Sequence, residues 1–368
     1  MAKQLKIGIL GTRGIPNRYG GFEQCAEYLA LGLTNKGHHV YVYNAHNHEF
    51  RESIWKGVNI IHCYDPEQKL GTFGQFIYDY NCIKDARTRK FDILLQLGYT
   101  SNSIWYKRWP RDAKNVVNMD GLEWKRTKYN KYVQRFLRYA ERLAALNADM
   151  LVADSIGIKD YLKNKYNKDA TFIPYGAEVF PSPDPSIISK YGLVPDGYFL
   201  VLARMEPENN IDMIIKSVVL SKQDKQIIVI GKTDNNYGHF LTGKYKTNER
   251  VKFLGGIYDQ PVVNNLRYFS SLYFHGHTVG GTNPSLLEAM GCSALIAAHD
   301  NIFNKSILGH DAFYFQNADQ LALVINTFGD KHRHQEKISN NLAKIKTHYS
   351  WASVTEQYES AFFHAMIK

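Results

Sequence analysis

Residues 272–296 read LYFHGHTVGGTNPSLLEAMGCSALI, and the reading of this stretch decides the fold. Leu272 to His275 has the character of a buried strand end. A tight loop follows from His277 to Asn283 and contains Gly280 and Gly281. Asn283 suits an N-cap, and Pro284 suits the first helical position, where its missing N–H costs nothing. A helix is expected from Ser285 to about Gly291, and a further strand from Ala294 to Ala298. A glycine loop that feeds a helix N-terminus attracts anions, because backbone N–H groups and the helix dipole both point at the ligand. Glu288 stands just over one turn into that helix, where a carboxylate can accept hydrogen bonds from two vicinal hydroxyls, such as those of a ribose. Diphosphate at Gly281, Thr282 and Asn283, with ribose on Glu288, describes a nucleotide-sugar site. The competing reading is an ordinary turn with Glu288 solvated.

HGHTVGGTNPSLLEAMG (275–291) resembles the donor-site motif of retaining glycosyltransferases of family 4, which have the GT-B fold. ILGTRGIPNRYGGFE (9–23) is similar to the opening of a subgroup that includes bacterial rhamnosyltransferases of polysaccharide assembly. The resemblance implies an α/β chain of two Rossmann-like domains facing each other across a cleft. An acceptor domain is expected over 1–180 and a nucleotide-sugar domain over 181–349, with a closing helix over 350–368 returning to the first domain. It implies sugar transfer with retention and without a metal. Rhamnose is the favoured sugar, a dTDP- or UDP-linked nucleotide sugar the donor, and a lipid-linked saccharide the acceptor. No cofactor is expected beyond the substrate. A nucleotide-sugar 2-epimerase shares the fold and stays open as an alternative. A basic nucleic-acid-binding protein is the alternative from another class, although the chain has no recognised module for it.

Composition agrees with a large globular chain. Its 368 residues suffice for two domains, and 44% hydrophobic with 13% aromatic residues gives a substantial core. A net charge of +10 favours anionic partners: a nucleotide, nucleic acid or an acidic membrane surface. No apolar run is long enough to span a bilayer, and MAKQLKIGIL leads straight into a strand rather than a signal peptide. Cys25, Cys63, Cys82 and Cys292 lack metal or disulfide spacing, so free thiols in the cytoplasm are the plain expectation; peripheral attachment to the inner face of the plasma membrane is the further option that the basic helix over 125–147 leaves open.

Leu5–Leu10, a glycine loop, a helix from about Glu23 to Asn35 and a strand over His39–Tyr43 open a doubly wound sheet. A dinucleotide fingerprint fits poorly. The glycines stand at 8, 11 and 14, and the second strand ends in Tyr43-Asn44 without an acid for a ribose. The loop after the first strand faces the ligand crevice. It places Gly14 toward the donor, and Arg13, Arg18, Tyr19 and Gly20 toward an acceptor, with solvated loop arginines as the plain alternative. Asp120, at the end of the strand Asn115–Asn118, is a candidate to orient or deprotonate the acceptor hydroxyl. Related enzymes commonly carry a histidine there.

A helix is expected over Lys125–Asn147, with Lys128, Lys131, Arg135, Arg138 and Arg142 on one face and Val133, Phe136, Leu137, Ala140, Leu143 and Ala144 on another. That pattern suits contact with an anionic membrane, and equally a surface helix packed on its own sheet. Pro181, Pro183 and Pro185 mark the connector between domains. In the second domain the resemblance gives Arg204 a grip on the donor diphosphate. Asn209 occupies the position of the partner lysine, and Lys232 at the next strand end is a candidate replacement, or simply a surface lysine. By the same resemblance the nucleobase lies against the turn at Tyr258. The family's first motif glutamate is replaced by Gly280, leaving sugar selectivity to the backbone or to His277. After Ile302 the chain reads as a strand and then helices.

Overall fold

The computed structural model describes residues 3–17, 20–126, 129–279 and 281–367. Arg18, Tyr19, Lys128 and Gly280, named above, lie outside them. The chain divides into two compact units. The first contains the chain up to Lys125, Tyr129–Tyr175 and the C-terminal segment from Trp351; the second contains Gly176–Ser350 with Arg126.

The strands of the first unit are β1 (Lys6–Leu10), β2 (His39–Ala45), β3 (Ile54–Trp55), β4 (Val58–Cys63), β5 (Ile93–Leu97), β6 (Lys114–Asn118), β7 (Met150–Ala153) and β8 (Ala170–Phe172). Its helices are α1 (Gly21–Asn35), α2 (Glu67–Leu70), α3 (Phe73–Arg89), α4 (Lys131–Asn147) and α5 (Ile156–Tyr166). The sheet order is β3-β4-β2-β1-β5-β6-β7-β8, parallel except for the short antiparallel β3. The second unit holds α6 (Pro185–Ser189), β9 (Tyr198–Leu202), α7 (Ile211–Leu220), β10 (Gln226–Ile230), α8 (Asn236–Lys244), β11 (Val251–Gly255) and α9 (Gln260–Tyr268). It continues with β12 (Leu272–His275), α10 (Pro284–Gly291), β13 (Ile296–His299), α11 (Ile302–Leu308), β14 (Phe313–Phe315), α12 (Ala318–Thr327) and α13 (Gln335–Thr347). Its order is β11-β10-β9-β12-β13-β14, parallel throughout. Both sheets reverse direction beside their first strand, between β1 and β5 and between β9 and β12, so each has a switch point of the Rossmann type.

The central strands are apolar on both faces, as sheets covered by helices on each side require. YFLVL in β9 and QIIVI in β10 are buried almost end to end. Fully buried rings such as Phe199 and Phe274 anchor the second core, each worth about 1.5–3 kcal/mol of transfer free energy. The last helix, α14 (Trp351–Ile367), packs within the first unit. Trp351 stacks on Tyr28 of α1 at 4.6 Å, and Gly32 leaves room for Thr355, whose Oγ1 would lie 2.5 Å from an added Cβ.

Three local expectations need correction. The helix expected from Lys125 begins at Lys131: Glu123–Lys125 form a separate 3-10 turn, and Asn130 caps α4 by accepting the N–H groups of Tyr132 and Val133. Ile302 opens a helix rather than a strand, because Asn301 caps it through the N–H groups of Phe303 and Asn304. The strand expected over Ala294–Ala298 starts two residues later, at Ile296.

One buried carboxyl makes this core sensitive to pH. Asp79 on α3 accepts a hydrogen bond from the Ser101 hydroxyl at 2.5 Å, and burial pushes its pKa up to about 6. The folded chain therefore holds this proton more tightly than the unfolded chain, and stability falls as pH rises from about 4 to about 6. Asp79→Asn removes the penalty. Thermal unfolding should show the variant more stable than the parent above pH 6, by at most about 3 kcal/mol at 1.36 kcal/mol per unit, and the advantage should vanish below pH 4.

Candidate functional site

The loops at the switch point of the second unit are held together by a missing side chain. Gly276 follows β12 so closely against the loop after β9 that a Cβ would meet the Asn209 carbonyl at 2.1 Å. Around this approach the two loops interlock. Thr278 donates its N–H and its hydroxyl to the Glu208 carbonyl, and Asn210 donates its amide to the Gly276 carbonyl at 2.8 Å. Asn209 is buried and gives its Nδ2 to the Arg204 carbonyl at 2.8 Å. Its Oδ1 therefore faces His277 Nδ1 at 2.8 Å, which assigns the ring proton to Nδ1. Burial pushes His277 down to about 4, so the imidazole is neutral near pH 7. The carbonyl of His277 in turn accepts from the amides of Asn301 and Asn304. Arg204 itself is exposed. Asn209 thus does not supply the cation expected of its position; it orients the histidine.

Gly231 repeats the device at β10. It takes φ 158°, and a Cβ would meet the Ala203 carbonyl at 2.2 Å, so Lys232 emerges beside the Arg204 loop. The Lys232 ammonium lies 5.7 Å from the Tyr258 ring centroid, and an added Cβ on Gly256 would touch both side chains. The structure therefore brings Lys232 to the turn after β11.

The α10 end is as the sequence implies. Gly281 has φ 78°, Thr282 is buried, Asn283 accepts the Ser285 N–H at 3.0 Å and Pro284 opens the helix. What the sequence reading missed is the partner of Glu288. Arg267 on α9 is only 2% exposed at its side chain and meets Glu288 Oε2 at 2.5 Å, with Ser285 Oγ and Asn264 Oδ1 each at 3.3 Å. Burial works against the charge on Arg267, but the Glu288 carboxylate outweighs it and holds the guanidinium firmly protonated. Its signal in the sequence was a lone arginine in the largely apolar run LRYFSSLYF. The pair lets a carboxylate stand near a helix end suited to anions without adding net negative charge.

In the first unit the loop after β1 is tied down. Arg13 forms an ion pair with Glu67 at 2.6 Å, and Gly14 is buried at φ 123° with an added Cβ 2.3 Å from the Asn44 side chain. Gly14 is thus explained by packing on Asn44. Gly20 precedes α1 at φ 136° and is exposed. Asp120 adopts the left-handed region at φ 44°, uncommon for an aspartate, immediately after β6. Its N–H donates to Asn118 Oδ1 at 2.9 Å, and Asn118 donates to the Tyr358 hydroxyl of α14 at 2.9 Å. The last helix therefore sets the strand end that presents Asp120. Burial first, and then the Asp120 charge, push the Tyr175 hydroxyl well up.

Comparison with known proteins bears on the fold and on each unit separately. Residues 186–345 match the family described as glycosyl transferases group 1, and residues 4–178 match a domain of unknown function, DUF1972. No curated protein sequence matches the chain. Among solved structures, sucrose-phosphate synthase from Thermosynechococcus elongatus is similar with a TM-score of 0.83 at 16% identity, over 99% of this chain and 100% of that one. HepE of Anabaena in complex with UDP and glucose gives 0.77 at 18%, over 98% and 100%. The catalytic domain of starch synthase IV from Arabidopsis thaliana, bound to ADP and acarbose, gives 0.76 at 12%, over 100% of each chain. The fold is GT-B, and the second unit carries a group 1 glycosyltransferase domain.

Removing Arg267 alone takes the buried guanidinium away from the Glu288 carboxylate. Arg267→Met should cost about 3–5 kcal/mol in chemical denaturation, as breaking a buried pair does. Arg267→Met combined with Glu288→Gln should recover most of that loss.

Proposed function

We propose that this chain is a glycosyltransferase of the group its second unit matches, and that it moves rhamnose from dTDP-rhamnose to a lipid-linked saccharide in cell-surface polysaccharide synthesis, with retention and without a metal. A UDP-hexose is the alternative donor. The observation that carries the donor reading is the α10 end: a glycine turn, an Asn-Pro cap and a carboxylate held in place by a buried arginine. The UDP and glucose bound by HepE and the ADP bound by starch synthase IV, on the same fold, support it.

In this reading the diphosphate sits on the backbone around Gly281 and Thr282 and on Arg204. The ribose lies on Glu288 and the base against the turn at Tyr258, with Lys232 beside it. Negative charge grows on the departing diphosphate as the C1–O bond breaks. Donors already in place there lower the barrier without reorganising, and losing one such group costs on the order of 10²–10³ in rate. The acceptor oxygen attacks C1 on the face the diphosphate leaves, and its proton passes to a phosphate oxygen of the leaving group. Asp120 orients the acceptor hydroxyl. With Gly280 in place of the family's first glutamate, the neutral His277 is the side chain left to read the sugar. The acceptor's lipid would lie toward α4, whose Lys131, Arg135, Arg138 and Arg142 are all exposed.

Arg204→Ala should abolish transfer with the fold intact, and Glu288→Ala should abolish it while also lowering stability by about 3–5 kcal/mol, because it strands the buried Arg267; near-normal turnover by either would remove it from the site. In a thermal-shift panel, dTDP or UDP compounds at 100 times their dissociation constant should stabilise by about 2.7 kcal/mol. Product analysis with a pyrophosphate-lipid acceptor should yield a rhamnosylated lipid. Epimerised donor formed without acceptor would contradict the proposal.

A further inference from the structure

The first unit has a corner that glycosyl transfer does not account for. α2 ends at Leu70 and α3 begins at Phe73, and between them Gly71 turns at φ 57° with nothing within 4 Å of the place a Cβ would take. Residues 68–73 are all exposed, Leu70 at 49% and Phe73 at 65%. Leaving two large apolar side chains at the tip of an open turn is unfavourable in water unless something else covers them. Phe73 meets Phe76 at 5.9 Å, and Phe76 meets Phe136 of α4 at 5.6 Å, so the turn and α4 share one surface.

α4 continues that surface with a different chemistry on each stripe. Tyr132, Tyr139 and Leu146 recur every seven residues and are exposed, Tyr132 at 85%. Lys131, Arg135, Arg138 and Arg142 form the adjoining stripe, also exposed. The one acid on α4, Glu141, is buried and turned inward, where the Trp124 indole N–H, the hydroxyls of Tyr161 and Tyr166, and the Lys165 ammonium all donate to it. The exposed arc of α4 therefore carries cations, tyrosines and a leucine and no negative charge. A second copy of this chain is a poor occupant, since a symmetric contact would set four cations against four. Basic stripes flanked by tyrosines and aliphatic side chains suit the headgroup layer of an acidic bilayer. The Arg13–Glu67 ion pair ties α2 to the loop after β1, so this corner adjoins the sheet edge that presents Asp120.

We infer that the turn at residues 70–73 and the exposed arc of α4 form one docking surface for an anionic lipid bilayer, with Leu70, Phe73 and Tyr132 inserted at the acyl boundary and the α4 cations among the headgroups. This rests on the lipid-linked acceptor proposed above and specifies how the enzyme reaches it.

The test is co-sedimentation of the full chain with vesicles of phosphatidylglycerol and phosphatidylethanolamine, against vesicles of phosphatidylcholine alone. The parent should bind the acidic vesicles and not the neutral ones, and added salt should weaken the binding. Leu70→Ser with Phe73→Ser should weaken it at least tenfold while leaving thermal unfolding and nucleotide binding unchanged. Lys131→Glu with Arg135→Glu should weaken it further and remove the salt dependence. Unchanged vesicle binding by the Leu70/Phe73 variant overturns the inference, as does a parent that ignores acidic vesicles. So does a variant whose only change, by light scattering, is its oligomeric mass. Product analysis with a detergent-solubilised lipid acceptor tests the acceptor separately, so this surface can fail while that reading stands.

Discussion

The approach of the loop after β12 to the loop after β9 is the constraint on which the second unit depends. A parallel sheet that reverses its strand order leaves a gap at the reversal, and ligands enter there. Here the gap is narrowed until only a glycine fits at 276, 2.1 Å from the Asn209 carbonyl to an imagined Cβ. Three polar contacts are arranged around that approach: Thr278 on Glu208, Asn210 on Gly276, His277 on Asn209. Any side chain at 276 would separate the loops and release these bonds together. Gly11 shows the same solution in the first unit, where a Cβ would meet the Leu97 carbonyl at 2.2 Å between β1 and β5. Two sheets of one topology have thus met the same packing problem with the same residue.

Charge is handled differently from what the motif suggests. The expected pair of diphosphate cations is replaced by one exposed arginine and a buried asparagine that sets the tautomer of a neutral histidine. The second motif carboxylate is kept, but with its charge matched from behind by Arg267. The result is a helix end and a pair of loops whose polar groups are fixed by hydrogen bonds within the protein. Preorganisation of this kind lets an electrostatic site lower a barrier without reorganising during the reaction.

Much of this was legible in the sequence, for reasons that are local. The stretch 272–296 declares itself through an apolar strand end, glycines, an Asn-Pro cap and a helical run, all within 25 residues. Asn301 carried an equally plain cap signal, although the segment after it reads as strand by composition. The early start assigned to α4 came from a basic run that suits a helix, whereas Asn130 fixes the true beginning. What could not be read were contacts made across the fold. Arg267 lies 21 residues before Glu288, Tyr358 lies 240 residues after Asn118, and Phe76 meets Phe136 from another helix. No spacing rule reaches such pairs; they exist only once the sheet order is set.

The central claim is that a turn and helix end grip a diphosphate while Glu288 holds the pentose. Crystallography of the chain soaked with dTDP or UDP tests it most directly. The account predicts phosphate oxygens within hydrogen-bond distance of the backbone at Gly281 and Thr282, and ribose hydroxyls on the Glu288 carboxylate. A nucleotide bound at another sheet edge, or with its ribose turned away from Glu288, would contradict it.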